Sequence, residues 1–223
     1  MRDLRLAIRF IVALVSLALG SSAWAALLPV TNANFENPSL GPGAFTPYGN
    51  DPGVQNIPGW TAPGDWDGVQ NASTSYGTAP DGFNFAYDDG GTISQALSSN
   101  LAAGSYTLTV AVGHRGGRTF GGGELELFAG STLLNSFPLT SPTAGTFADE
   151  QLTYNAGATD PYLGQSLKIA LVSNGSGYSS SPTVDFDNVR LDFDAAPEPS
   201  TWALVLGSGA FLVALRRFRR GTL

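Results

Sequence analysis

The chain has 223 residues, no cysteine, and 18 acidic side chains against 11 basic ones, a formal net charge of −7. The lack of cysteine excludes a disulfide framework, a zinc-thiolate centre and a thiol nucleophile. The acidic balance opposes nucleic-acid binding, which needs a basic footprint.

The chain opens on a basic stretch with Arg2, Arg5 and Arg9, followed by an apolar run over residues 10–20. Ala23-Trp24-Ala25 then supplies small residues at the two positions that a signal peptidase reads. Residues 1–25 are expected to be a secretory signal peptide, cut after Ala25. Residues 26–194 have the length of one domain. Setting aside Asp3, Glu198 and the seven terminal arginines leaves 16 acids and 4 bases there, a net charge near −12.

Several stretches of this region show strand patterns. Residues 83–87 and 92–97 come first. Tyr106, Leu108, Val110 and Val112 alternate with Thr107, Thr109 and Ala111, the period-two mark of a half-buried strand. Leu125 and Leu127 alternate with Glu124 and Glu126, and residues 132–139 and 147–154 follow. Leu167, Ile169 and Leu171 alternate with Ser166, Lys168 and Ala170, and residues 183–193 close the domain. In that last stretch Val184 and Phe186 share one parity, while Val189, Leu191 and Phe193 share the other. A bulge near Asp187-Asn188 would return both sets to one core and could re-aim Asp187 at a ligand. Glycine, proline, asparagine and serine clusters separate the strands, and no convincing amphipathic helix interrupts them. The expected fold is all-β, a jelly-roll sandwich, with an N-terminal signal helix and a C-terminal transmembrane helix.

The order of local sequences strengthens this expectation. Asn34-Phe35-Glu36 opens the domain, Ile57-Pro58-Gly59-Trp60 follows, and Asp81-Gly82-Phe83-Asn84-Phe85-Ala86-Tyr87 comes next. Gly91-Thr92-Ile93-Ser94-Gln95-Ala96-Leu97, Gly104-Ser105-Tyr106-Thr107-Leu108 and Phe186-Asp187-Asn188-Val189-Arg190-Leu191 complete it. This succession resembles the galactose-binding-like jelly rolls, which include many carbohydrate-binding modules. The resemblance implies a structural calcium ion shared by an acid of the first strand region and one of the last; Glu36 and Asp187 match those positions. Calcium takes about six to eight oxygens, so backbone carbonyls and another acid or water would complete the set. The two residues read equally as hydrogen-bonded or solvated surface carboxylates.

Aromatics are the usual platform for a glycan, because a pyranose stacks its apolar face on a ring. Trp60, after Pro58-Gly59, reads as core. Trp66 stands between Asp65 and Asp67, whose carboxylates would have to leave water with it. It is therefore expected to be an exposed platform, with Asp65, Asp67, Tyr48 and Tyr76 as neighbours. His114 is the only histidine, no Gly-x-Ser-x-Gly elbow is present, and no carboxylate pair is marked out. The chain is thus expected not to be an enzyme. The loop over residues 114–123 holds five glycines and two arginines, and reads as a solvated hairpin loop or a site for an anionic sugar.

The C-terminus carries Pro197-Glu198-Pro199-Ser200-Thr201-Trp202, an uncharged run over residues 203–215, then Arg216, Arg217, Arg219 and Arg220. This order resembles the PEP-CTERM sorting signal of exported Gram-negative proteins, which the membrane enzyme exosortase reads. At about 1.5 Å per residue the apolar run spans roughly 20 Å of a hydrocarbon layer about 30 Å thick. Trp202 and the arginines can extend its reach. Arginines outside both apolar runs place both termini in the cytoplasm. The expectation is an exported protein with an inner-membrane intermediate, released to the cell surface or beyond by signal peptidase and exosortase over residues 195–223. Its sandwich would bind extracellular polysaccharide, or serve as structural matrix without a dedicated ligand.

Overall fold

The computed structural model describes residues 25–46, 57–63, 66–175, 182–196 and Gly209. Side chains alternate across a strand, so a strand with apolar residues at every second position buries one face. Among the described residues there are ten strands, most of them on this rule: β1 (Ala26–Leu28), β2 (Asp67–Asn71), β3 (Asn84–Asp88), β4 (Gly91–Asn100), β5 (Gly104–His114), β6 (Gly123–Ala129), β7 (Thr132–Pro138), β8 (Thr146–Ala156), β9 (Ser166–Ser173) and β10 (Val184–Ala195). One sheet runs β2-β3-β10-β5-β8 with β1 beside β10, and the other runs β4-β9-β6-β7. The fold is an all-β jelly-roll sandwich. Tyr106, Leu108, Val110 and Val112 of β5 meet Leu125, Leu127, Leu167, Ile169 and Leu171 of the facing sheet in the core. Trp60 joins them, 3% exposed and 5.4 Å from the ring of Phe35.

The last strand bends where its parity changes. Asn188 has φ 48°, and Val184, Phe186, Val189 and Leu191 all lie in the same core. A bulge therefore keeps an apolar face continuous from Val184 to Phe193. Strand β2 was not foreseen. Its sequence DGVQN has a single apolar residue, Val69, and it forms because β3 pairs along its whole length while Thr46 lies against Val69 from the other side.

Strand β3 is buried at all five positions, because both of its faces are covered. Ala86 looks into the sandwich, whereas Phe85 and Tyr87 look outward into a second cluster with Ala72, Tyr76, Ala79 and Phe147. The chain folds back over that outer face after β2. Asn71 caps the short 3₁₀ turn Ala72–Thr74, its Oδ1 accepting the Ser73 N–H.

Apart from Ala195 at the end of β10, these strands lie in the compact unit Ala25–Asp194. The expected signal peptide, the Pro197-Glu198-Pro199 motif, the apolar run and Arg216, Arg217, Arg219 and Arg220 fall outside the described residues. Among the described residues, no helix is long and apolar enough to cross a membrane.

Candidate active site

The outer face of the six-stranded sheet carries a polar centre set among aromatic rings. Asp185 of β10 pairs across the strands with Tyr87 of β3, so the two side chains share that face. Its carboxylate is fully buried. Arg115, just past the end of β5, donates from Nε to Asp185 Oδ2 (3.2 Å) and from Nη2 to Oδ1 (2.8 Å). The Tyr76 hydroxyl donates to Oδ2 at 2.5 Å. The guanidinium lies over the rings of Phe85 (5.3 Å) and Tyr87 (5.9 Å). The ring of Tyr76 meets Phe85 edge-on at 5.3 Å and Phe147 at 4.4 Å.

This arrangement depends on small residues beneath it. A Cβ on Gly113 would sit 2.6 Å from the Phe147 ring and 2.8 Å from the Tyr76 oxygen. A Cβ on Gly68 would meet the Tyr87 hydroxyl at 2.6 Å, and that hydroxyl donates to the Thr46 carbonyl. Beside the centre lies a cleft of about 390 Å³, lined by Tyr76, Ala79, Pro80, Ala111, Phe147 and Asp149 among others. Asp149 on its rim pairs with Arg190 at 2.6 Å, an exposed contact of little energetic weight.

Burial, then the negative charge of Asp185 and the hydrogen bond to it, raise Tyr76 far above the usual phenol range. Arg115 loses hydration on burial, but the Asp185 carboxylate outweighs that loss and holds it firmly protonated. A further acidic group lies behind the sheet. Asp67 and Asp88 are cross-strand partners, 2% and 1% exposed. Burial pushes Asp88 up to about 7, reinforced by Asp67, Asp89 and Asp185 and opposed by the Gly90 N–H that Oδ1 accepts. Among the described residues its Oδ2 has no hydrogen-bond partner.

The expected residues fall in different places. Tyr48 and Asp65 lie outside the described residues. Trp66 is half-buried, and Asp67, expected to keep to water, is buried on the inner side of β2. The pairing of β2 with β3 draws it in. Of the described residues of that set, Tyr76 reaches the centre. Glu36 and Asp187 converge on the turn before β3. Glu36 Oε1 accepts the N–H groups of Phe83 and Asn84, and Asp187 Oδ2 accepts that of Asp81. Asp187 is fully buried, and burial, then Asp81 and Glu36, outweigh its two backbone hydrogen bonds and push it up to about 8. Among the described residues, no three histidine or acidic side chains form a metal-holding group, so backbone oxygens would have to complete any cation site there. His114 is held between the carbonyls of Pro142 and Arg118.

A protein-family model described as HpiC1 cyclase (HpiC1-like) matches residues 26–192. A crystal structure of the Stig cyclase Fisc from Fischerella sp. TAU, in complex with (3Z)-3-(1-methyl-2-pyrrolidinylidene)-3H-indole, is similar at 31% identity, covering 78% of this chain and 100% of that one, with a TM-score of 0.63. A cyclase from the same source in complex with 4-(1H-indol-3-yl)butan-2-one is 32% identical over 78% of this chain and 100% of that one, TM-score 0.63. An apo cyclase from Fischerella sp. is 30% identical over 79% and 100%, TM-score 0.65. A search of curated proteins finds no match. These matches overturn two expectations, that the chain is not an enzyme and that it is a glycan-binding or purely structural surface protein. The physical reason is separation along the chain. Tyr76 and Arg115 stand 109 and 70 residues from Asp185, so no local motif announces the centre.

Proposed function

The chain belongs to the HpiC1-like cyclase family, and from that membership we propose that it closes a ring on an aromatic, indole-type substrate in the cleft beside Tyr76. The observation that carries the reading is the Tyr76–Asp185–Arg115 centre, a buried ion pair set among aromatic rings at the edge of the cleft. Tyr76 and Phe147 offer faces and edges on which a flat aromatic stacks. Positive charge developing during ring closure meets π-faces, and Tyr76 touches the reacting molecule. The test uses 4-(1H-indol-3-yl)butan-2-one as a probe. Titration into the full-length chain is expected to saturate, with Phe147→Ala weakening binding about tenfold or more, of the order of one aromatic contact. Indole-bearing alkenes are then screened for products of unchanged mass and shifted retention, the mark of a ring closure that loses no atoms. A wild-type chain that neither binds the probe nor isomerises any such alkene overturns the reading.

Two further proposals concern the setting of the enzyme. The tail resembling a PEP-CTERM signal supports export with processing before the apolar run, and an exported chain whose intact mass includes Leu223 would refute it. The convergence of Glu36 and Asp187 on one turn supports a structural calcium ion bound by both carboxylates and by backbone carbonyls. Its contribution there is to tie the first and last strand regions to the turn before β3.

A further inference from the structure

The cleft has a polar end as well as an aromatic one. Among the described residues that line it, Asp149 alone carries a charge. Asp149 stands opposite Ala111 where β8 pairs with β5, so the two side chains share the outer face of the sheet. A side chain as short as alanine leaves the flank of the carboxylate open to the cleft. Phe147 leaves the same face of β8 two residues earlier, about 7 Å back along the strand. Arg190 of the neighbouring β10 donates from Nη2 to Asp149 Oδ2 at 2.6 Å, and the Asp149 side chain stays 53% exposed. A carboxylate accepts at about four positions, so this contact fixes the group and leaves most of its capacity unused. The other polar side chains of the lining are the hydroxyls of Tyr76, Thr78 and Thr146, weaker acceptors than a charged oxygen.

We propose that Asp149, held by Arg190, is the specificity residue of the cleft: it accepts the ring N–H of the substrate and so selects an unsubstituted indole nitrogen. This rests on the cyclase reading above. Stacking on Phe147 and Tyr76 holds a flat ring in a plane but leaves it free to turn within that plane. A charged acceptor at one end removes that freedom. A ring stacked on Phe147 and lying along β8 presents its edge to Asp149. In an indole the N–H bond and the substituent at carbon 3 point roughly opposite ways across the five-membered ring. An N–H held at Asp149 therefore turns that substituent away from the rim, toward Tyr76. Orientation of this kind lowers the barrier of a ring closure, because the reacting atoms no longer have to find each other. The substrate class narrows accordingly: an indole with a free N–H and a chain at carbon 3 fits, whereas an aromatic without a ring donor loses the anchor. Arg190 is a positioning residue, since it touches Asp149 and aims it.

The test compares two ligands in two full-length chains. One ligand is 4-(1H-indol-3-yl)butan-2-one. The other is its benzofuran counterpart, which puts oxygen in place of the N–H and keeps the shape. Titration into the wild type is expected to favour the indole about tenfold, the effect of one hydrogen bond to a charged acceptor. Asp149→Ala is expected to weaken the indole to the level of the benzofuran and to leave the benzofuran little changed. The side chain is half-exposed, so its removal costs the fold little, and unchanged circular dichroism checks this. Equal binding of the two ligands by the wild type overturns the proposal, and so does an Asp149→Ala chain that weakens both alike, the mark of a merely structural role. Either result leaves the cyclase reading standing. A wild-type chain that leaves the indole unbound also overturns the proposal, whereas the cyclase reading falls only if no indole-bearing alkene is isomerised either.

Discussion

Replacing Asp185 by alanine tests how the centre is held together. The carboxylate is fully buried and accepts from Tyr76 at 2.5 Å and from Arg115 at 3.2 and 2.8 Å. Its removal leaves a guanidinium, 13% exposed, without the carboxylate it donates to, and a phenol without its acceptor. Breaking a buried pair by deleting one partner costs about 3–5 kcal/mol, and the lost phenol hydrogen bond adds about 1 kcal/mol. The sum, roughly 4–6 kcal/mol, is a large part of the 5–15 kcal/mol or so that holds a typical domain folded. In a domain of this size each kcal/mol moves the melting midpoint by about 2–4 °C, so a drop on the order of 8–24 °C is expected. Arg115→Met/Asp185→Leu, which replaces both charges by apolar groups, is expected to lie within about 2 kcal/mol of wild type. Urea unfolding of the wild type, Arg115→Met, Asp185→Leu and the double variant gives the coupling energy. A cost below about 1 kcal/mol for Asp185→Ala, or single effects that simply add, would refute the reasoning.

Three other outcomes are expected. Trp60→Ala destabilises the fold by about 3–5 kcal/mol in urea unfolding, because the indole is 3% exposed and packed on Phe35; a loss under 1 kcal/mol would show that the core closes without it. Asp88 is raised in the folded state from its ordinary 3.8 to about 7, so the folded chain binds this proton more tightly and stability falls as pH rises between those values. Asp88→Asn should flatten that fall and stabilise the chain at pH 8 on the order of 2–4 kcal/mol, and equal slopes for the two chains would refute the assignment. Calcium at about 100 times its dissociation constant adds roughly 2.7 kcal/mol, or about 5–10 °C, and superimposed melting curves with calcium and with chelator would remove the ion from the account.

The frame of the sandwich was legible because its strands obey one local rule. The alternation in β5 and β9 identifies inner and outer faces, and the parity break in β10 locates the bulge at Asn188. Strand β2 escaped notice because partners on both sides, rather than its own side chains, make it a strand. The site was harder to see. Tyr76 stood among the candidate residues, but as a neighbour of Trp66, whose expected exposure rested on Asp65 and Asp67 staying in water. Pairing energy buried Asp67, which a rule about single residues does not weigh. Asp185 carries a usable signal, an acid between Val184 and Phe186 on the opposite parity to the core, but the parity break that draws notice lies two residues later, at Asp187. Nothing local marks Arg115, since its partner arrives only when β10 pairs into the sheet.

The division of labour along β5 has a consequence for descent. Tyr106, Leu108, Val110 and Val112 face the sandwich, while Ala111 lines the cleft and Gly113 lies directly under Tyr76 and Phe147. The floor of the cleft and the keel of the fold are thus interleaved residues of one strand, pointing opposite ways. A methyl group added on the odd-numbered side takes volume from the cleft and leaves the even-numbered side untouched. Lineages built on this sheet can therefore resize what they accept at Ala111 with the core face unchanged, whereas any side chain at Gly113 must displace Phe147 or Tyr76.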